Sequence, residues 1–224
     1  MLAAAADRIA QAVADDVSVL QVGAGASPFE RADWVLDDLG YEPNGSARYT
    51  RSTWITRDVC GRERWPFADG RFGFAVCTTL ALVRDPVGVC AELSRVAARG
   101  YVEVPTVEAE LAAGTARWLC DVVDAELVFV HKAVEVAADP RARVPPRWAA
   151  RLEEGERVTG LFWESRLPAR ERLVEADALA RELSDRLRRR FEPTTAEVAF
   201  TEGRRLGGMA ASEVVRRLDQ LRGR

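Results

Sequence analysis

The chain has 224 residues, of which 48% are hydrophobic and 30% charged, and its formal net charge is −3. That length carries one α/β domain with additions, and that balance excludes a disordered or fibrous chain. A net negative chain lacks the basic face that nucleic acid binding needs, and no apolar run approaches the ~20 residues that span a membrane.

Residues 2–15 read as a helix, with Leu2, Ile9 and Val13 at helical spacing. Asp7 and Arg8 interrupt this Ala-rich start, so it does not read as a signal peptide, and a cytoplasmic protein is expected. Residues 17–22 form a short apolar run that ends in Gly-Ala-Gly, the pattern of a buried parallel strand feeding a turn. Further strands are expected over 32–36, 53–56, 72–78 and 101–104, with a helix over 86–97 before the last of them. Beyond these, 126–136 and 158–165 read as strands, and 139–148, with three prolines, as a loop or linker. Residues 175–190 read as a helix with a Leu179, Leu183, Leu187 stripe, and 211–221 as a last amphipathic helix. Strands alternating with helices or turns imply an α/β fold with a parallel, doubly wound sheet.

Chemistry-bearing residues gather at the expected strand ends. Gly23-Ala24-Gly25 follows the first strand, where glycine permits positive φ and close approach of a ligand. Asp37 and Asp38 close the second strand, where a carboxylate accepts hydrogen bonds from ribose hydroxyls, and alternation lets only one of them face inward. Asp58 closes the third. This is also the sheet edge at which open α/β sheets bind ligands. The four cysteines, Cys60, Cys77, Cys90 and Cys120, have no metal-clip or redox-pair spacing.

The run from Arg57 to Phe72, with its Trp65-Pro66-Phe67-Ala68-Asp69 turn, resembles the stretch between the third and fourth strands of class I methyltransferases of the type 11 kind. The continuation resembles the same family, in Arg84-Asp85-Pro86, Glu92-Leu93-Ser94-Arg95-Val96 and Gly100-Tyr101-Val102-Glu103-Val104-Pro105. The resemblance covers about residues 17–106. It implies a three-layer, Rossmann-like, mostly parallel sheet with helices on both faces and a C-terminal helical extension. It also implies a domain over 1–168, in which 106–168 cap a substrate, followed by the extension over 169–224. The implied cofactor is S-adenosylmethionine. Gly23 and Gly25 would lie against its methionine part, Asp37 (or Asp38) would hold the ribose, and Asp58 would face the adenine amino group. Val59 would pack on the ring and Cys77 and Thr78 would sit below the sulfonium, with Gln21 and Ala24 completing the set.

The chain also departs from that family. Gln21 stands where many relatives carry an acid, and Ser27 where a third glycine is often seen. Gly73 replaces an Asp, and the segment from Cys77 to Val83 has neither the His nor the carboxylate that relatives often show. Bases for the acceptor are therefore sought among Glu103, Glu108, Glu110, Asp121, His131 and Glu164, with Glu103 and Glu108 nearest the fifth strand's exit. His131, the only histidine, also reads as a partly exposed strand-end residue. Trp118, Trp148 and Trp163 lie outside the cofactor motifs, and core packing is expected for at least two of them.

The expectation is methyl transfer to a small molecule such as a sugar or natural-product intermediate. The alternative is a protein that binds S-adenosylmethionine or a related nucleoside for another reaction or a structural role. A homodimer through the C-terminal helices is a further expectation. A nicotinamide-dependent dehydrogenase is disfavoured, because the third glycine of its fingerprint would fall at Pro28.

Overall fold

The computed structural model describes residues 1–25, 28–40, 49–50 and 52–191. In chain order the helices are α1 (Ala3–Ala12), α2 (Pro86–Val96), α3 (Val107–Ala113), α4 (Val134–Ala138), α5 (Pro146–Ala149) and α6 (Ala176–Phe191). The strands are β1 (Val19–Val22), β2 (Trp34–Asp37), β3 (Trp54–Thr56), β4 (Phe74–Cys77), β5 (Arg99–Pro105), β6 (Trp118–Val123), β7 (Glu126–His131), β8 (Val158–Glu164) and β9 (Ala169–Glu171). The helix expected over 211–221 lies outside the described residues.

Six strands form the main sheet in the order β3-β2-β1-β4-β5-β8. The first five run parallel, and β8 lies antiparallel along β5 from Arg99↔Glu164 to Pro105↔Val158. All four residues of β1 and of β4 are buried. A central parallel strand covered on both faces reads as an unbroken apolar run, which is why these two strands were legible in sequence. The fold is α/β, a mostly parallel Rossmann-like sheet with helices on both faces.

Alternation sorts the strand residues between two layers. Ala5, Ile9 and Val13 from α1 and its end meet Val19, Phe74, Val76 and Tyr101 on one face. On the other, Leu20, Val22, Leu36, Ala75, Cys77, Val102 and Val104 meet Val89, Cys90, Leu93 and Val96 of α2. Asp85 caps α2 by accepting from the Gly88 N–H (2.8 Å), and Pro86 sits where its missing N–H costs nothing.

A second sheet, β6-β7-β9, completes the α2 side, contributing Trp118, Cys120, Leu127 and Phe129 to the same core. Trp163 is also in that core, so Trp118 and Trp163 both pack as expected. The β6 strand escapes the sequence reading because its hairpin turns on Asp124-Ala125, both at positive φ (51° and 62°), without the Asn-Gly or Asp-Gly that announces such a turn. The strand expected over 126–136 stops at His131; its Val-Glu-Val alternation continues into α4. The short helix α3 and the strand β9 were not anticipated.

The chain divides into two compact units, Met1–Ala180 and Arg181–Arg224. Ala169–Glu171, which the expected boundary at 168 assigns to the extension, pairs parallel with β7. The change falls inside α6. Among the described residues no helix is long and apolar enough to cross a membrane.

Arg95 ties α2 to the turn before β4. It donates to both Glu92 oxygens (2.7 and 2.6 Å), to Asp69 Oδ1 (2.7 Å) and to the carbonyls of Phe67 (2.8 Å) and Trp65 (3.3 Å). Glu92 in turn accepts the Trp65 N–H (2.8 Å). Hydrogen bonding from Arg95 holds the Glu92 carboxyl below its usual pKa. Arg95→Ala is expected to cost about 2–3 kcal/mol in urea unfolding at neutral pH, because it takes the cation from the mostly buried Glu92 carboxylate and the donor from the Phe67 carbonyl. Since the folded pKa of Glu92 is depressed, its contribution is present above its ordinary value of 4.5 and is lost as pH falls through the folded value. The gap between wild type and Arg95→Ala should therefore narrow in acid.

Candidate functional site

In this strand order β1 lies between β2 and β4, so the links leaving β1 and β4 diverge and open a crevice at the carboxyl ends. A cleft of about 450 Å³ occupies that point. Gly23, Gly25, Asp37, Asp38, Asp58 and Val59, all expected from sequence, line it. So do Leu39, Cys60, Thr79, Leu82, Val83, Arg84 and Arg117, which were not expected there.

The glycine turn is held from below by Asp37. This carboxylate is 2% exposed, and its Oδ2 accepts the N–H groups of Ala24 (2.6 Å) and Gly25 (2.8 Å). Its Oδ1 accepts the Leu39 N–H (2.9 Å). Backbone N–H groups converging on one anion make a stable nest, and three charge-assisted bonds offset the cost of burying it. Gly23 and Gly25 both have positive φ (70° and 54°). Their surroundings differ: a Cβ at Gly23 would run into the Thr79 side chain, whereas nothing lies within 4 Å of a Cβ at Gly25. Gly23 is required by packing, and Gly25 leaves the loop backbone open to the cleft.

Asp38 is exposed at the cleft. A hydrogen bond to Asp37 and then partial burial push its carboxyl above the usual range, since two neighbouring acids resist sharing two charges. Asp58 behaves oppositely. The Cys60 N–H donates to Oδ1 (2.9 Å) and Arg84 pairs with Oδ2, and these partners hold the Asp58 carboxyl below its usual value.

The other expected residues lie elsewhere. Gln21 faces the α1 side, where its Oε1 accepts the Phe29 N–H (2.7 Å) and braces the return toward β2. Cys77 is fully buried beneath the cleft, and burial pushes its thiol pKa up. Thr79, two residues on, reaches the cleft where Thr78 was expected.

None of the six candidate bases lines the cleft. Glu103 points to the α1 face and accepts from Tyr101 Oη (2.9 Å) and the Leu2 N–H (2.8 Å), because strand alternation turns it with Tyr101 away from the crevice. Glu108 is buried on α3. His131 is exposed at the end of β7, its ring edge-on to Trp118. Glu110 is also engaged, accepting from Lys132 Nζ and the Ala116 N–H (2.9 Å).

Arg117 is set on a fixed backbone. Its N–H donates to the Ala81 carbonyl (2.9 Å) and its carbonyl accepts the Lys132 N–H (2.8 Å). The neighbouring Trp118 Nε1 donates to the Val83 carbonyl (2.8 Å). These bonds dock the start of β6 on the segment after β4, a pairing invisible in sequence because the two are far apart in the chain.

Gly23→Ala is expected to destabilise the protein by about 2–3 kcal/mol, from positive-φ strain and the collision with Thr79. In a Thr79→Ala background the loss should shrink by about 1 kcal/mol, leaving the backbone strain and a residual close contact with the Cβ of residue 79. Denaturant unfolding of the four proteins of this cycle measures both terms.

No protein-family model matches the chain, and no curated protein matches its sequence. Solved structures overlap with it at low identity. A SAM-dependent methyltransferase of Thermotoga maritima is 19% identical, with a TM-score of 0.31, over 46% of this chain and 50% of that one. An S-adenosylmethionine-dependent methyltransferase of Mesorhizobium loti is 14% identical, with a TM-score of 0.35, over 80% of this chain and 78% of that one. A SAM-dependent methyltransferase of Aquifex aeolicus is 14% identical, with a TM-score of 0.35, over 70% of this chain and 87% of that one. The chain thus spans half the length of the Thermotoga protein, and its α/β assignment stands on its own strand order and register.

Proposed function

We propose that the cleft binds S-adenosylmethionine and that the chain transfers its methyl group to a small-molecule acceptor, such as a sugar or natural-product intermediate. The observation that carries this reading is the positive-φ glycine turn, fixed by Asp37 at the switch point of the sheet, with Asp38 and Val59 beside it.

The residues present fit such a ligand. The space above Gly25 admits the methionine part against bare backbone. Asp37 is engaged by the loop, so Asp38 is the carboxylate left to accept from the ribose hydroxyls. Val59 offers an apolar wall for the adenine, and Asp58 an acceptor for its amino group. The bound cofactor supplies a methyl group already activated on a sulfonium, and alignment with an acceptor provides much of the rate. A second reading keeps the binding and drops the transfer. It is favoured by the lack of a histidine among the described cleft residues and by the tie between Asp58 and Arg84.

Titration calorimetry should show binding of both S-adenosylmethionine and S-adenosylhomocysteine; absence of either at millimolar concentration removes the proposal. Asp38→Asn should weaken binding about tenfold or more, the worth of hydrogen bonds to a charged group. Affinity should fall as pH drops through the raised pKa of Asp38, hence at a higher pH than an ordinary aspartate gives. Cys60 provides an internal reporter, since it lines the cleft while Cys77, Cys90 and Cys120 are buried. A single thiol should react with iodoacetamide in the native protein, and S-adenosylhomocysteine should slow that reaction.

A further inference from the structure

We infer that the acceptor is a carboxylic acid with an apolar body, held by Arg117 and methylated on oxygen to give a methyl ester. This rests on the reading of the cleft as an S-adenosylmethionine site and names the class of its second substrate.

The cleft divides by charge. Its acids, Asp37, Asp38 and Asp58, stand at the ends of β2 and β3. The opposite wall, made by the segment after β4 and the start of β6, contributes Thr79, Leu82, Val83, Arg84 and Arg117 and, among the described residues, no acid or histidine. Alcohol and carbon acceptors carry a proton that a base must remove, and an amine protonated at neutral pH must first lose one. None of the described residues of that wall can remove one. The acids opposite are committed: Asp37 to three N–H groups, Asp58 to Cys60 and Arg84, and Asp38 to the ribose in the reading above. A carboxylic acid is ionised at neutral pH and presents lone pairs without any base.

The cations on that wall are not equivalent. Arg84 pairs with Asp58, whereas Arg117 has no ion-pair partner among the described residues. Its backbone is pinned by Ala81 and Lys132, so its exposed guanidinium is carried on a rigid base at the cleft mouth. The guanidinium fork matches a carboxylate in two parallel bonds, and each carboxylate oxygen keeps a lone pair for reaction. Leu82 and Leu39, 52% and 58% exposed, flank the same mouth. Exposed leucines that converge on a cleft favour an occupant with apolar surface.

The step balances without a proton. A carboxylate oxygen lone pair forms the new O–CH3 bond, the S–CH3 bond breaks, and its electron pair stays on sulfur. One anion and one cation become a neutral ester and a neutral thioether. The ester no longer pairs with Arg117, so the product is released more readily than the substrate acid is.

The test uses the full chain saturated with S-adenosylhomocysteine, titrated calorimetrically with octanoate and 3-phenylpropionate and with the amide of each. Wild type should bind at least one acid in the millimolar range and its amide about tenfold more weakly. Arg117→Gln should abolish that preference, and Arg117→Lys should retain part of it, while both bind S-adenosylhomocysteine within about twofold of wild type. With S-adenosylmethionine, the bound acid should yield a product one methyl heavier that mild alkali returns to the acid. The inference is overturned if neither acid binds at about 10 mM, a strength below that of ordinary small-ligand sites. It is also overturned if Arg117→Gln binds the acids as wild type does, if it loses S-adenosylhomocysteine, or if the methylated product resists alkali. Failure of wild type to bind S-adenosylhomocysteine at all would instead remove the underlying cofactor reading.

Discussion

The carboxylate of Asp37 is buried at the end of β2 and gathers three backbone N–H groups, from Ala24, Gly25 and Leu39. The bonds from Ala24 and Gly25 fix the turn after β1 to the strand beside it, and so fix where the cleft opens. A buried carboxylate with no partner would cost several kcal/mol, so the turn cannot relax without exposing or stranding that charge. The same commitment decides the chemistry above it. With Asp37 occupied, Asp38 is the exposed acid of the pair, and a hydrogen bond to Asp37, then partial burial, raise its pKa.

A second constraint follows from the short β1–β2 link. Only residues 23–33 join two parallel neighbours, and no helix is present in the described part of that link. Side chains brace it instead. Arg31 donates to the carbonyls of Ala14 (2.7 Å), Asp15 (3.1 Å) and Val17 (2.9 Å) and pairs with Asp33, which accepts the Val19 N–H (2.9 Å). Gln21 holds Phe29 from the strand side. The position where the resembled family often carries an acid toward its cofactor is here part of the scaffold.

Across the cleft, the start of β6 docks on the segment after β4 through Arg117, Trp118 and the Glu110–Lys132 pair. This contact adds an arginine and an apolar rim to a crevice whose other wall is acidic. The proposed ligands match that division, a cationic, hydroxyl-bearing cofactor and an anionic, apolar acceptor. Glu103, Glu108 and His131 lie outside the cleft.

By itself the sequence determined the buried strands β1 and β4, the helix α2 with its Asp85-Pro86 start, the glycine turn and the row of acids at the strand ends. These are legible because burial on both faces of a parallel strand, helix capping and positive-φ turns each leave local residue signatures. Local pattern could not show β6, whose Asp124-Ala125 turn lacks a glycine, nor the parallel pairing of β9, nor which of two adjacent acids is clamped. The direction of each side chain depends on strand register, which moved Glu103 and Gln21 to the α1 face and brought Thr79 to the cleft. The placing of Arg117 beside Leu82 and Val83 was decided only by tertiary structure, because it depends on hydrogen bonds between segments more than thirty residues apart.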